Sequence, residues 1–307
     1  MKKILVAMSM ALAATTANAQ FDLTPNIGVG VSAGIVTGIG IDASITMTDF
    51  LGARVGYNWI PKFKYSTDLD VTGVTEGLKS NEYYKYSDPQ LVIPEKISVE
   101  GKLNMSTWHV LFDVYPLGAV NSFHLTVGAY FGADDIVSVY NKEDGALNVV
   151  NQFNAGFKNG VNSDHIGKYT FNYKDYPTTP AGPKVSGTQT VDNVKQLGVE
   201  LGDYFLQPTN EGNLSASIKV KKFRPYVGLG FGRAVPKNRV GVQFDLGCQF
   251  WGSPEVYCYG KDANTGQNTE MKLDETNTGS DGGKILKTIS KVSVCPVLKL
   301  RIVGKIF

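Results

Sequence analysis

The residues that could carry chemistry are few and lie far apart along the chain. Three acids (Asp42, Asp113, Asp245), four cations (Arg54, Arg224, Lys299, Arg301) and two imidazoles (His109, His124) sit inside glycine-rich, otherwise apolar stretches. Charges removed from bulk water must pair and hydrogen-bond. Two chemistries suit such a set: a salt-bridge plug that holds an interior shut, or a charged constriction that selects small solutes. The basic groups of the last segment suit a mild anion preference in the second case.

Catalysis is poorly served. A serine or threonine nucleophile needs a histidine and an acid beside it, and no G-x-S-x-G motif occurs. Asp134, Asp135 and His165 offer the residue types of an acid–base hydrolase. Adjacent residues of a strand point to opposite faces, however, so the two acids are no natural dyad. No His/Cys group has zinc spacing, and no cofactor is expected. The Gly228-Leu229-Gly230-Phe231-Gly232 run looks like a nucleotide loop, yet no helix follows it. Of the three cysteines, Cys248 reads as a small apolar residue. Cys258 and Cys295 flank the last long loop and could pair in an oxidising compartment. Simple alternation puts them on opposite faces, and a bulge at Gly252-Ser253-Pro254 would be needed to bring them together.

The elements that must position these groups are strands. In 240–251 the even residues Val240, Val242, Phe244, Leu246, Cys248 and Phe250 are apolar, while Gly241, Gln243, Asp245, Gly247 and Gln249 alternate with them. Period-2 patterning of this length matches the roughly 9–11 residues of a membrane-crossing strand. The pattern recurs at 27–35, 39–48, 51–59, 108–115, 121–132, 223–232 and about 298–306, giving eight candidate strands, an even number. All nine candidate charges and imidazoles fall on the polar face. Tight turns at 49–50, 116–120 and 236–239 alternate with long intervals at 67–95, 141–213 and 260–291. Short turns on one side and long loops on the other favour a membrane barrel over a soluble β-sandwich. Aromatic residues near strand ends (Tyr57, Trp59, Tyr65, Trp108, Tyr115, Phe250, Trp251, Tyr257, Tyr259) suit interfacial girdles. The 141–213 interval is too long for a mere connection and is expected to be a mobile surface loop, a binding surface or a lid, with weakly helical pieces such as 191–201.

The N-terminus sets the expected compartment. Lys2 and Lys3, the apolar run 4–14 and Ala17-Asn18-Ala19 have the form of a secretory signal peptide cleaved before Gln20. The domain reading is therefore a signal peptide at 1–19 and one β-barrel domain at 20–307. Losing both lysines brings the 30 basic residues level with the 28 acidic ones, and a neutral chain offers nothing to nucleic acid. Only 19% of the 307 residues are charged, glycine numbers 34, and mean hydropathy is −0.10. That combination argues against disorder, coiled coils and polytopic helical membrane proteins.

LGARVGYNW (51–59), RPYVGLGFG (224–232), VGVQFDLGCQFWGSP (240–254) and PVLKLRI (296–302) resemble the small, porin-like outer-membrane β-barrel proteins of Gram-negative bacteria. The resemblance implies an all-β, up-and-down antiparallel transmembrane barrel, an integral outer-membrane location and no catalytic residue. One departure stands out: chains of this kind commonly end in a phenylalanine on the outward face, whereas Phe307 shares parity with Lys299, Arg301 and Lys305. The expected role is non-enzymatic, either structural in the envelope or surface binding through extracellular loops. A narrow solute channel is the alternative and a membrane-embedded enzyme the third reading. Expected partners are outer-membrane lipid, lipopolysaccharide and the barrel assembly machinery.

Overall fold

The structure is a computed structural model that describes residues 26–61, 64–70, 82–89, 96–180, 182–261, 267–276 and 278–306. The expected leader, Phe307 and part of the 67–95 interval lie outside the described residues.

Eight antiparallel strands close into a barrel. Numbered in chain order, they are β1 (Asn26–Ile35), β2 (Gly38–Thr48), β3 (Leu51–Trp59), β6 (Thr107–Val114), β7 (Phe123–Gly132), β14 (Phe223–Phe231), β15 (Val240–Phe250) and β18 (Val294–Lys305). Each pairs with its predecessor in the barrel, and β1 returns to β18 from Gly28↔Lys305 to Ile35↔Leu298. Closure leaves no edge, the condition for β-structure to exist in lipid. Alternation explains why these segments are strands and which way they face. Val31, Val242, Phe244, Leu300 and Ile302 stand exposed on the outside. Their neighbours Ser32, Gln243, Asp245, Lys299 and Arg301 are buried inside.

A second, eight-stranded sheet rises from one rim. β4 (Lys64–Asp70), β5 (Lys96–Leu103), β8 (Asp135–Asn141), β13 (Ala216–Lys219) and β16 (Glu255–Lys261) adjoin β3, β6, β7, β14 and β15 in sequence and keep their lateral order. Beyond them, β12 (Tyr204–Leu206) and β17 (Asn268–Lys272) both pair with β16, and β11 (Val199–Leu201) pairs with β12. The β1–β2 hairpin contributes nothing to this wall. It reverses at Val36 and Thr37, with Val36 at φ 74° and Gly38 at φ 68°, so the rim is low there.

The longest interval is folded. α1 (Asn148–Asn154) packs on the hairpin of β9 (Ile166–Pro177) and β10 (Lys184–Lys195) around Val150, Phe153, Phe157, Tyr169, Phe171, Val194 and Leu197. Tyr83 and Tyr84, from a single 3-10 turn at Glu82–Tyr86, close over this core against Tyr176 and Phe171. The helix expected within 191–201 is absent. That stretch ends β10 and forms β11, because pairing of Val191 with Tyr169 and Val194 with Gly167 commits it to a strand. The last interval carries α2 (Gly279–Ser290).

Candidate functional site: the barrel lumen

At the end of the barrel away from the wall, the turn 232–239 tucks inward. Ala234 and Val235 are 0% and 3% exposed. The Ala234 N–H donates to Tyr115 Oη at 2.7 Å. Its carbonyl accepts from Ser44 Oγ at 2.7 Å and Arg301 Nη1 at 2.9 Å. Gly52 makes room for this stopper, since a Cβ there would meet Ala234 Cβ at 3.0 Å.

Above the stopper lies a continuous ionic network. Arg54, 1% exposed, donates from Nη2 to Asp113 Oδ1 at 2.7 Å and from Nη1 to Asp245 Oδ2 at 2.8 Å. Thr126 Oγ1 donates to the same Asp113 oxygen at 2.7 Å, and His124 Nε2 lies 2.9 Å from Asp245 Oδ1. Arg301 binds Asp42 through Nε and Nη2, and its Nη2 also reaches Ser44 Oγ at 2.9 Å. Gln243 ties the two halves together. It accepts from Arg301 Nη1 at 2.9 Å and donates to Asp113 Oδ2 at 3.4 Å. Two arginines thus ion-pair with all three carboxylates, each chelating one of them with two nitrogens, a geometry in which buried charge is tolerated.

Three of the candidates stand outside that network. His109 and Lys299 meet at Asn58: His109 Nδ1 is 3.0 Å from Asn58 Nδ2, and Lys299 Nζ donates to Asn58 Oδ1 at 3.3 Å. Arg224 sits at the wall end, where Nε donates to the Lys221 carbonyl at 3.0 Å and Nη2 to the Ala133 carbonyl, with the guanidinium 5.8 Å from the Trp251 ring. Leu111, Tyr130, Tyr226 and Val297 pack together as a buried apolar cluster inside the barrel.

Gln243, Thr126, Ser44 and Asn58 are members that the charge pattern alone passes over. Their signal was parity: each lies on the same face of its strand as a candidate charge or lumen glycine. The stopper has no sequence signature of that kind, because it depends on where a turn folds.

Several expectations are corrected. The Cys258–Cys295 disulfide is absent, and all three cysteines are free thiols. The reason is register. Cys258 belongs to the wall, opposite Ala216 and Met271, whereas Cys295 is in the barrel opposite Gln249. Burial pushes the Cys258 thiol up to about 11. Two expected girdle aromatics are buried instead: Tyr115 (0% exposed) against the stopper and Trp251 (7%) beside Gln249. Tyr65, Tyr257 and Tyr259 stand on β4 and β16 of the wall rather than on the barrel, whereas Trp59, Trp108 and Phe250 are exposed on barrel strands and Tyr57 packs on Trp108 with ring centroids 4.9 Å apart. Asp134 pairs with Lys222 at 3.5 Å, Asp135 lies 4.0 Å from Lys219, and His165 stacks on Phe205. Among the described residues no group of three or more His, Cys, Asp or Glu side chains is placed to hold a metal ion.

No protein-family model matches the chain, and no curated protein matches it. Among solved structures it is similar to CarO2 of Acinetobacter baumannii, at 15% identity and a TM-score of 0.39, over 91% of this chain and 98% of that one. It is also similar to a major outer membrane protein of Thermus thermophilus, at 15% identity and a TM-score of 0.33, over 92% and 99%. The fold assignment stands on the chain's own closed register: a transmembrane-type barrel, apolar outside and charged inside.

Proposed function

We propose that this chain is a non-enzymatic integral protein of the outer membrane whose barrel is closed to solutes and whose folded outer wall and loop module serve as a structural or binding surface. The observation that carries the reading is the plug. Arg54, Asp42, Asp113, His124, Gln243, Asp245 and Arg301 are each at most 3% exposed and bonded across the lumen. An eight-stranded barrel is just wide enough for side chains to fill it, and here the side chains form a connected network with a backbone stopper beneath. The exposed apolar band on β1, β14, β15 and β18 supports a lipid environment. On this reading, its surroundings are outer-membrane lipid and lipopolysaccharide, reached through the barrel assembly machinery after leader cleavage near Ala19. The test is conductance of the purified, refolded protein in planar lipid bilayers. A silent bilayer at protein densities verified by labelling is expected. Reproducible stepwise currents would replace this reading with the narrow channel.

A further inference from the structure

The wall-side half of the lumen differs chemically from the half near the stopper. One of its buried cations, Lys299, has no acid bonded to it among the described residues. Lys299 is 1% exposed, and its one bond is to Asn58 Oδ1 at 3.3 Å, with no carboxylate in salt-bridge reach among the described residues. Asp245 lies directly opposite in register but is turned to Arg54 and His124.

The Lys299 ammonium is donor-only, so it fixes the orientation of the Asn58 amide: Oδ1 faces Lys299, and Nδ2 donates to His109 Nδ1. A ring nitrogen that accepts carries no proton. His109 is therefore neutral, with its proton on Nε2. That Nε2–H is fully buried and has no partner among the described residues. Two hydroxyls in this half also lack partners among the described residues, Ser32 Oγ and Thr37 Oγ1, at 6% and 2% exposure. They belong to the same neighbourhood. A Cβ on Gly40 would run into both Asn58 Oδ1 and Ser32 Oγ, and a Cβ on Gly34, which pairs with Lys299, would run into Thr37 Oγ1.

The free valences here are thus donors: ammonium hydrogens, an imidazole N–H and two hydroxyls that can rotate to donate. Unpaired buried donors beside an unpaired cation are costly unless an acceptor joins them. Thr37 forms the turn of the low β1–β2 rim, just beyond the Gly34↔Lys299 pair, so the site lies beside the shortest way in. We infer that Lys299, His109, Ser32 and Thr37 form a binding site for a small monovalent anion such as chloride, seated just inside the barrel mouth. Each plug carboxylate is ion-paired to Arg54 or Arg301, and among the described residues none lies within 4.0 Å of the Lys299 ammonium. Occupancy by an anion neither requires nor implies conduction through the barrel.

The test uses full-length refolded protein labelled with ¹⁵N-histidine, titrated at constant ionic strength by replacing gluconate with chloride. The His109 resonances are expected to report the Nε2–H tautomer and to shift saturably with chloride. Lys299→Met is expected to weaken the apparent affinity about tenfold or more, equivalent to ~1.4 kcal/mol. Thr37→Val, at the mouth end of the site, is expected to weaken it in the same direction and serves as the deciding variant if Lys299→Met fails to fold. An Nδ1–H tautomer, a His109 signal indifferent to chloride, or an unchanged affinity in the folded variant would overturn the site.

Discussion

Replacing Arg54 with methionine tests the plug at its centre. The substitution keeps most of the aliphatic volume and removes the guanidinium that holds Asp113 at 2.7 Å and Asp245 at 2.8 Å. Both carboxylates are at most 3% exposed on the side chain, so neither can turn to water. Asp113 keeps Thr126 and Gln243, and Asp245 keeps His124, yet neither retains an arginine. Breaking one buried ion pair by removing a partner costs roughly 3–5 kcal/mol, since the remaining charge stays buried and unpaired. Arg54→Met is accordingly expected to destabilise the barrel by about 3–5 kcal/mol. Combining it with Asp113→Asn and Asp245→Asn removes the stranded charges and is expected to restore more than half of that loss. Equilibrium urea unfolding in lipid vesicles, followed by tryptophan fluorescence and by heat-modifiable gel migration, measures both. A single-variant loss below ~1 kcal/mol, the range of an exposed pair, would refute the reasoning. So would a triple variant no more stable than the single one.

Three further outcomes follow from other parts of the molecule. Phe153, fully buried at the centre of the loop module, should lose about 3–5 kcal/mol of local stability as alanine. Limited proteolysis should then nick the 148–197 region while the barrel keeps its heat-modifiable migration, and joint loss of both would show that the module is not separately stabilised. Lys272 and Tyr257 hydrogen-bond Glu255 and hold its carboxyl below the usual 4.5. A depressed acid stabilises the fold above its unfolded value, and the benefit fades as pH falls through the folded one. Both members of the Glu255–Lys272 pair are over two-fifths exposed, so the effect is a few tenths of a kcal/mol. Protection of the β17 amides, corrected for the pH dependence of intrinsic exchange, should fall slightly on going below pH 4.5 in the native chain but not in Glu255→Gln. Finally, non-reducing mass spectrometry should find free thiols at Cys258 and Cys295, with Cys258 slow towards maleimide at pH 7 because burial keeps it a thiol, pushed up to about 11. A Cys258–Cys295 linked peptide would contradict the register of the wall.

Alternation is a local property, and it carried much of this fold. Each barrel strand could be read to within a few residues of its ends because lipid and lumen impose opposite demands on successive side chains, as at Val242, Gln243 and Phe244. The same parity put Asp42, Arg54, Asp113, Asp245 and Arg301 on one inner face before any partner was known. Which of them meet was not legible. Arg54 finds Asp245 across 191 residues and Arg301 finds Asp42 across 259, distances set by barrel closure and strand stagger rather than by any local pattern. The loops concealed more. Their strands are short, irregular and half-exposed, so β11, β12 and β13 have only three or four residues in which to show a period, and β10 carries register shifts that blur one. The Cys258–Cys295 idea went astray for that reason, since sequence proximity to the barrel ends did not reveal that one cysteine leaves the barrel for the wall. The stopper at Ala234, the acid-free Lys299 and the low rim at Thr37 belong to tertiary structure alone, because a turn's depth and a cation's missing partner are decided by what the rest of the closed barrel brings to the same place.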